Sequence, residues 1–214
     1  MASKNQPKLK KIIDLKVANE LSTRGFKRVK NIFIKENEET IYAITFTLSG
    51  KNSGMISGFE FTVDLGIYYR KLGEVLEKYR VENIKEIKNM YAAMCAHLSV
   101  NLSEIVEPPI INWYYCDDND EDKMSETLYE HLFTYGINWF SKVENPADAI
   151  EYVNKTRNPK LIIRAALSVL INDFAQAKVY LKNDYEKAAA KTNLDNMVAL
   201  AAKYGLDLPD KYQK

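Results

Sequence analysis

A chain of 214 residues, 46% hydrophobic and 28% charged, has the composition of a soluble globular protein long enough for one sizeable core or a domain with a helical appendage. Two cysteines, Cys95 and Cys116, exclude a disulfide framework, and no apolar run approaches the roughly 20 residues that span a bilayer, so a cytoplasmic protein without a membrane partner is expected. The formal net charge of +1 conceals a strong asymmetry: residues 1–30 hold nine Lys or Arg against Asp14 and Glu20, and residues 101–130 hold nine acids against Lys123. Such polarity bears on association, not on fold.

From Lys8 to Arg24, the apolar residues Leu9, Ile12, Ile13, Val17, Ala18 and Leu21 fall on one helical stripe with lysines opposite, and Gly25 is placed to end the helix in a left-handed conformation. Because the basic N-terminus runs into this amphipathic pattern, a secretory signal is not expected. Three strands should follow: Asn31 to Glu36, Ile41 to Ser49, and, after a polar loop with Gly50, Gly54 and Gly58, Gly58 to Arg70. In the last of these, Phe59, Phe61, Val63, Leu65 and Ile67 alternate with Glu60, Thr62, Asp64 and Gly66, the period of a strand with one buried and one wet face. Cys95 to Leu102 alternates again and reads as a fourth strand.

Beyond Pro108-Pro109, Trp113-Tyr114-Tyr115 is an aromatic cluster and Asp117 to Asp122 an acidic loop. The remainder reads as helices: Met124 to Tyr135, stopped by Gly136; two opened by Asn145-Pro146 and Asn158-Pro159; Phe174 to Lys191; and a last one capped by Thr192 with Asp195 and ended by Gly205. The expected fold is α+β: an N-terminal helix, an antiparallel sheet of about four strands on residues 1–153, and an all-helical extension on 154–214.

No complete catalytic or cofactor motif is present. His97 lies two residues from Cys95, but a Cys-x-His pair does not supply the three or four ligands zinc needs. Asp118, Asp120 and Asp122 have calcium-loop spacing, yet Lys123 stands where the sharp-turn glycine belongs and Tyr129 where the bidentate glutamate belongs. The loop from Gly50 to Gly58 lacks the Lys-Ser/Thr ending of a phosphate-binding loop, and there is no Gly-x-Ser-x-Gly elbow. The basic first helix lacks interleaved aromatics, which disfavours nucleic acid as a partner.

Several segments in order, Leu21 to Phe26, Phe61 to Tyr68, Cys95 to Ile105, Trp113-Tyr114 and the helix end at Tyr135-Gly136-Ile137, resemble a family of small bacterial domains of unknown function over about Leu9 to Val153. The resemblance implies an α+β domain and identifies no catalytic residues. It also implies likeness to immunity proteins, since members of such families often sit beside toxin genes.

The expected function is non-enzymatic: a bacterial immunity protein that covers the active site of a cognate toxin, with no cofactor and no metal. If the toxin is a nuclease, its basic site would meet Asp117, Asp118, Asp120, Glu121 and Asp122, with Trp113, Tyr114 and Tyr115 as apolar anchors. The alternatives are a small enzyme or ligand-binding domain using Asp64, Tyr68, His97 and Asn101 on the polar sheet face, and an adaptor that binds through the helices from Asn158 to Tyr204.

Overall fold

Six strands form one antiparallel sheet among the described residues of the computed structural model, which are 5–49, 58–76, 93, 96–110, 113–115, 121–156, 162–187, 191–206 and 208. They are β1 (Lys27–Val29), β2 (Ile32–Glu36), β3 (Thr40–Leu48), β4 (Phe59–Tyr69), β5 (Leu98–Asn101) and β6 (Trp113–Tyr115). The order is β1-β2-β3-β4-β5, and β6 also pairs with β4. Since β3 holds one edge of β4, the other edge is shared: β5 pairs Asp64 with Asn101 and Ile67 with Leu98, and β6 pairs Phe59 with Tyr115 and Phe61 with Trp113. The three expected central strands are thus present. The fourth is shorter than expected: Ala96 and His97 precede it, and its last residue, Asn101, caps a helical turn, α4 (Leu102–Ile105), its Oδ1 accepting from the Ser103 backbone N–H at 3.0 Å. Its expected start, Cys95, lies outside the described residues.

The chain divides into two compact units, Met1–Tyr68 with Asn83–Phe140 and Tyr69–Glu82 with Ser141–Lys214. The expected division after residue 153 lies further along the chain than the one after Phe140.

In the first unit two long helices cover the apolar sheet face. One is built of α1 (Gln6–Ile12), a π-helical turn π1 (Ile13–Val17) and α2 (Ala18–Thr23); the other of α5 (Glu121–His131), π2 (Leu132–Gly136) and α6 (Ile137–Val143). Their buried residues step by four: Leu9, Ile13, Val17, Leu21 in one, and Leu128, Leu132, Gly136, Phe140 in the other. On a regular helix each such step drifts by about 40° from the facing surface, and a wider π turn takes up the drift. Gly25, with φ +85°, ends the first helix as expected. Gly136 does not end the second. It lies inside the helix, where a Cβ would fall 2.9 Å from Leu132 Cδ1, 3.2 Å from Leu65 Cδ1 and 3.3 Å from Leu102 Cδ1, so its missing side chain serves close packing on β4.

The other sheet face is not wet at its centre. Asp64, Gly66 and Tyr68 of β4 and Thr45 of β3 are buried. Ala93 and Ala96 lie directly on Gly66, and the Ala93 N–H donates to Thr45 Oγ1 at 3.1 Å.

The second unit is helical: α3 (Leu72–Val75), α7 (Pro146–Lys155), α8 (Ile163–Leu170), α9 (Phe174–Lys187) and α10 (Lys191–Tyr204). Asn145 caps α7 through its side chain, as its place before Pro146 predicts, and Gly205 at φ +62° follows α10. Asn158-Pro159 and the Thr192 side chain lie outside the described residues. Fully buried Asp184 on α9 accepts from the Ile162 N–H at 3.1 Å and pairs with the Arg164 guanidinium, which lies 4.9 Å from the centre of the Tyr180 ring. That carboxylate holds the start of α8, where Ile162 has φ +74°, unfavourable for a β-branched residue.

The two packed glycines should respond differently to a methyl group. In Gly66→Ala the new Cβ meets the backbone oxygen and Cα of Ala93, which cannot move aside independently, so a loss of about 3 kcal/mol is expected. In Gly136→Ala it meets ends of leucine side chains, and helix propensity returns up to about 1 kcal/mol, so the net loss should stay below about 1 kcal/mol. Urea unfolding of both variants gives the comparison, and equal losses would contradict this packing.

Candidate functional site

Strand β6 pins the aromatic cluster. Trp113 stacks on Phe61 with centroids 6.0 Å apart and meets His131 edge-on at 5.4 Å; Tyr115 lies 5.1 Å from Phe59, with the Lys8 ammonium 5.7 Å over its ring. Both are 3% exposed and belong to the core of the first unit. Strand alternation turns the residue between them outward: Tyr114 is 41% exposed, opposite Glu60 of β4. Of the three expected anchors, only Tyr114 presents its ring at the surface.

The acidic stretch divides as well. Asp117, Asp118 and Asp120 lie outside the described residues. Glu121 forms an ion pair with Lys11, and further along the same helix Glu126 pairs with Lys16. The hydrogen bond it donates to Glu121, then the charge of Glu121 and that of Asp122, hold the Lys11 ammonium above its ordinary value of 10.5. Basic and acidic segments of this chain are therefore partners of one another. Lys11 and Lys16 are spaced as Glu121 and Glu126 are, and the matching order means that the two helices run parallel.

On the sheet face away from these helices, the groups named for a small-molecule site form two pairs, Asp64 with Asn101 and Tyr68 with His97. Asn101 Nδ2 donates to Asp64 Oδ1 at 3.1 Å and the Thr62 hydroxyl to Asp64 Oδ2 at 3.0 Å; the Ser103 hydroxyl donates to Asn101 Oδ1 at 2.8 Å. Four residues along β4 from Asp64, Tyr68 meets the buried His97 ring edge-on at 5.4 Å. Burial raises the Asp64 carboxyl above its ordinary value of 3.8, against the opposing pull of the Thr62 and Asn101 hydrogen bonds. Among the described residues no cluster of three or more His, Cys, Asp or Glu is arranged to hold a metal ion.

This unit is also where the similarity to known proteins lies: a family model matches residues 17–142, from the π turn of the first helix almost to the end of the second. The chain belongs to the DUF4304 family, a domain of unknown function. No curated protein and no solved structure matches. The DUF4304 match takes in Tyr114, the acidic stretch and the Asp64 cluster, whereas α7 to α10 of the second unit fall outside it. Among the described residues no helix is long and apolar enough to cross a membrane.

Sequence reasoning passed over the lysine–glutamate ladder and Glu60: Glu121 was expected in the acidic loop before a helix starting at Met124, so its five-residue spacing to Glu126 was not set against that of Lys11 and Lys16. The position of Glu60 depends on the β4–β6 register, and a strand of three residues leaves no periodicity from which to read it.

The Asp64 carboxyl makes the DUF4304 core pH-sensitive in a defined direction. A folded-state value raised above the unfolded one means that the native chain holds the proton more tightly, so the contribution of Asp64 to stability falls as pH rises above 3.8. In Asp64→Asn this contribution is gone. Urea titrations from about pH 4 to 7 should show the variant gaining on the wild type as pH increases, and a gain in the opposite direction would contradict the burial argument.

Proposed function

We propose that this DUF4304 protein is a non-enzymatic binding protein of the cytoplasm, an immunity protein that neutralises a basic toxin domain by covering its active site. The observation that carries the reading is Tyr114, an exposed aromatic ring held on a strand whose two flanking residues are buried. An anchor fixed in this way loses little conformational freedom on binding, and tyrosine offers both apolar area and a hydroxyl. Glu60 stands opposite it, and Asp117, Asp118, Asp120 and Asp122 follow within eight residues of sequence, a density of negative charge suited to the cationic substrate site of a nuclease. Because Glu121 is tied to Lys11, the reading gives the main steering role to the other acids.

The test is affinity capture from the native bacterial lysate with the wild-type chain, with Tyr114→Ala, and with Asp117, Asp118 and Asp120 all changed to Asn. One basic polypeptide should be retained by the wild type, should arrest growth when produced alone, and should be harmless when this chain is co-expressed. Tyr114→Ala should weaken binding about 30-fold, as an anchor residue worth about 2 kcal/mol would. The triple variant should slow association and flatten its salt dependence. Protection by both variants at wild-type strength would reject this surface, and a captured polypeptide that is not toxic would reject the function.

A ligand-binding or enzymatic site further along the same face of β4, around Asp64, is the second reading. It is favoured by the convergence of Thr62, Asp64 and Asn101 around one buried carboxyl. A small molecule that co-purifies with the wild type and is lost in Asp64→Ala would support it.

A further inference from the structure

The first helix has a flank that neither the sheet nor the acidic helix covers. A groove of about 590 Å³ runs there between the helix and β1, lined by Leu15, Ala18 and Ser22 on one side and Lys27 and Arg28 on the other, with Phe33 at its base. Leu15, in the middle of the π turn, is 40% exposed on a helix whose other large apolar residues are in the core. Arg28 forms a fixed wall: it pairs with Asp14, donates to the Lys30 carbonyl at 2.6 Å and lies 5.1 Å from the centre of the Phe33 ring. Lys27 and Lys30 are exposed and have no ion-pair partner among the described residues. β1 ends the sheet and, among the described residues, pairs with β2 alone, so its outer edge offers unpaired backbone donors and acceptors beside the groove.

We propose that this groove and the outer edge of β1 form a second binding surface, which takes an acidic peptide segment as an added strand. Backbone hydrogen bonds to β1 would supply affinity, apolar side chains of the segment would rest on Leu15 and Ala18, and its carboxylates would meet Lys27 and Lys30. The charges choose among occupants. A second copy of the chain paired through β1 would bring two clusters of Lys27, Arg28 and Lys30 together, which is repulsive. A nucleic acid would find an apolar floor without an exposed aromatic ring to stack on. An acidic peptide meets neither penalty. The surface is separate from the Tyr114 face, so the two proposals stand or fall independently.

The probe is a fluorescein-labelled peptide of alternating Glu and Val, titrated with the full chain and followed by fluorescence anisotropy. A Lys-Val peptide, a backbone N-methylated Glu-Val peptide and a single-stranded oligonucleotide serve as comparisons. Saturable binding of the Glu-Val peptide below about 1 mM is expected, weakening with added salt. Lys27→Glu and Leu15→Asp, both at exposed positions and checked for folding by circular dichroism, should each weaken it about tenfold, and N-methylation should do the same. The proposal is overturned by titration without saturation, by equal binding of the Lys-Val peptide, or by affinity indifferent to both substitutions and to N-methylation. It is also overturned if the oligonucleotide binds more tightly with the same sensitivities, or if sedimentation shows a dimer that Leu15→Asp dissolves.

Discussion

Strand β4 must be covered on both faces, and most of the first unit follows from that constraint. Phe59, Phe61, Val63, Leu65 and Ile67 bring five large apolar side chains to one face, and together they would lose on the order of 10 kcal/mol if left in water. Two long helices meet that face, and both use a π turn to keep a four-residue apolar step directed at a surface that a regular helix would drift away from. The opposite face is closed by Ala93 and Ala96, which approach closely only because residue 66 is glycine. The polar groups enclosed there answer one another, Asp64 by Thr62 and Asn101, and Asn101 by Ser103, so burial does not leave this carboxyl without hydrogen bonds.

The charge asymmetry of the sequence has a structural use before it has a functional one. Lys11 and Lys16 of the basic helix meet Glu121 and Glu126 of the acidic one, which helps to fix the register of two parallel helices over a shared sheet face. Exposed pairs of this kind contribute little stability but disfavour misregistered arrangements.

The α+β architecture and the three central strands were legible in the sequence because their periodicity runs over five or more residues, as in Thr40–Leu48 and Phe59–Tyr69. β1 and β6, at three residues each, were not legible. Gly136 was read as a helix stop because glycine commonly ends helices, while its real constraint, three leucine side chains from separate elements, depends on tertiary packing. The wet face expected for β4 failed for the same reason, since nothing local to Gly66 or Tyr68 announces that Ala93 and Ala96 lie on the one and His97 against the other. At the candidate site, residue types were legible and exposure was not. The residue types at 113–115 pointed to an aromatic anchor, but which ring faces outward follows from the β4–β6 register that places Tyr114 opposite Glu60.

The most direct measurement of the central claim is hydrogen–deuterium exchange of the chain alone and in complex with the polypeptide it captures. If Tyr114 and the acids beside it are the contact, slowed exchange should concentrate in peptides covering residues 113–126 and in those covering Glu60, with α8 to α10 unchanged. Slowed exchange confined to residues 162–204, or to residues 93–101 beside Asp64, with 113–126 unaffected, would contradict it.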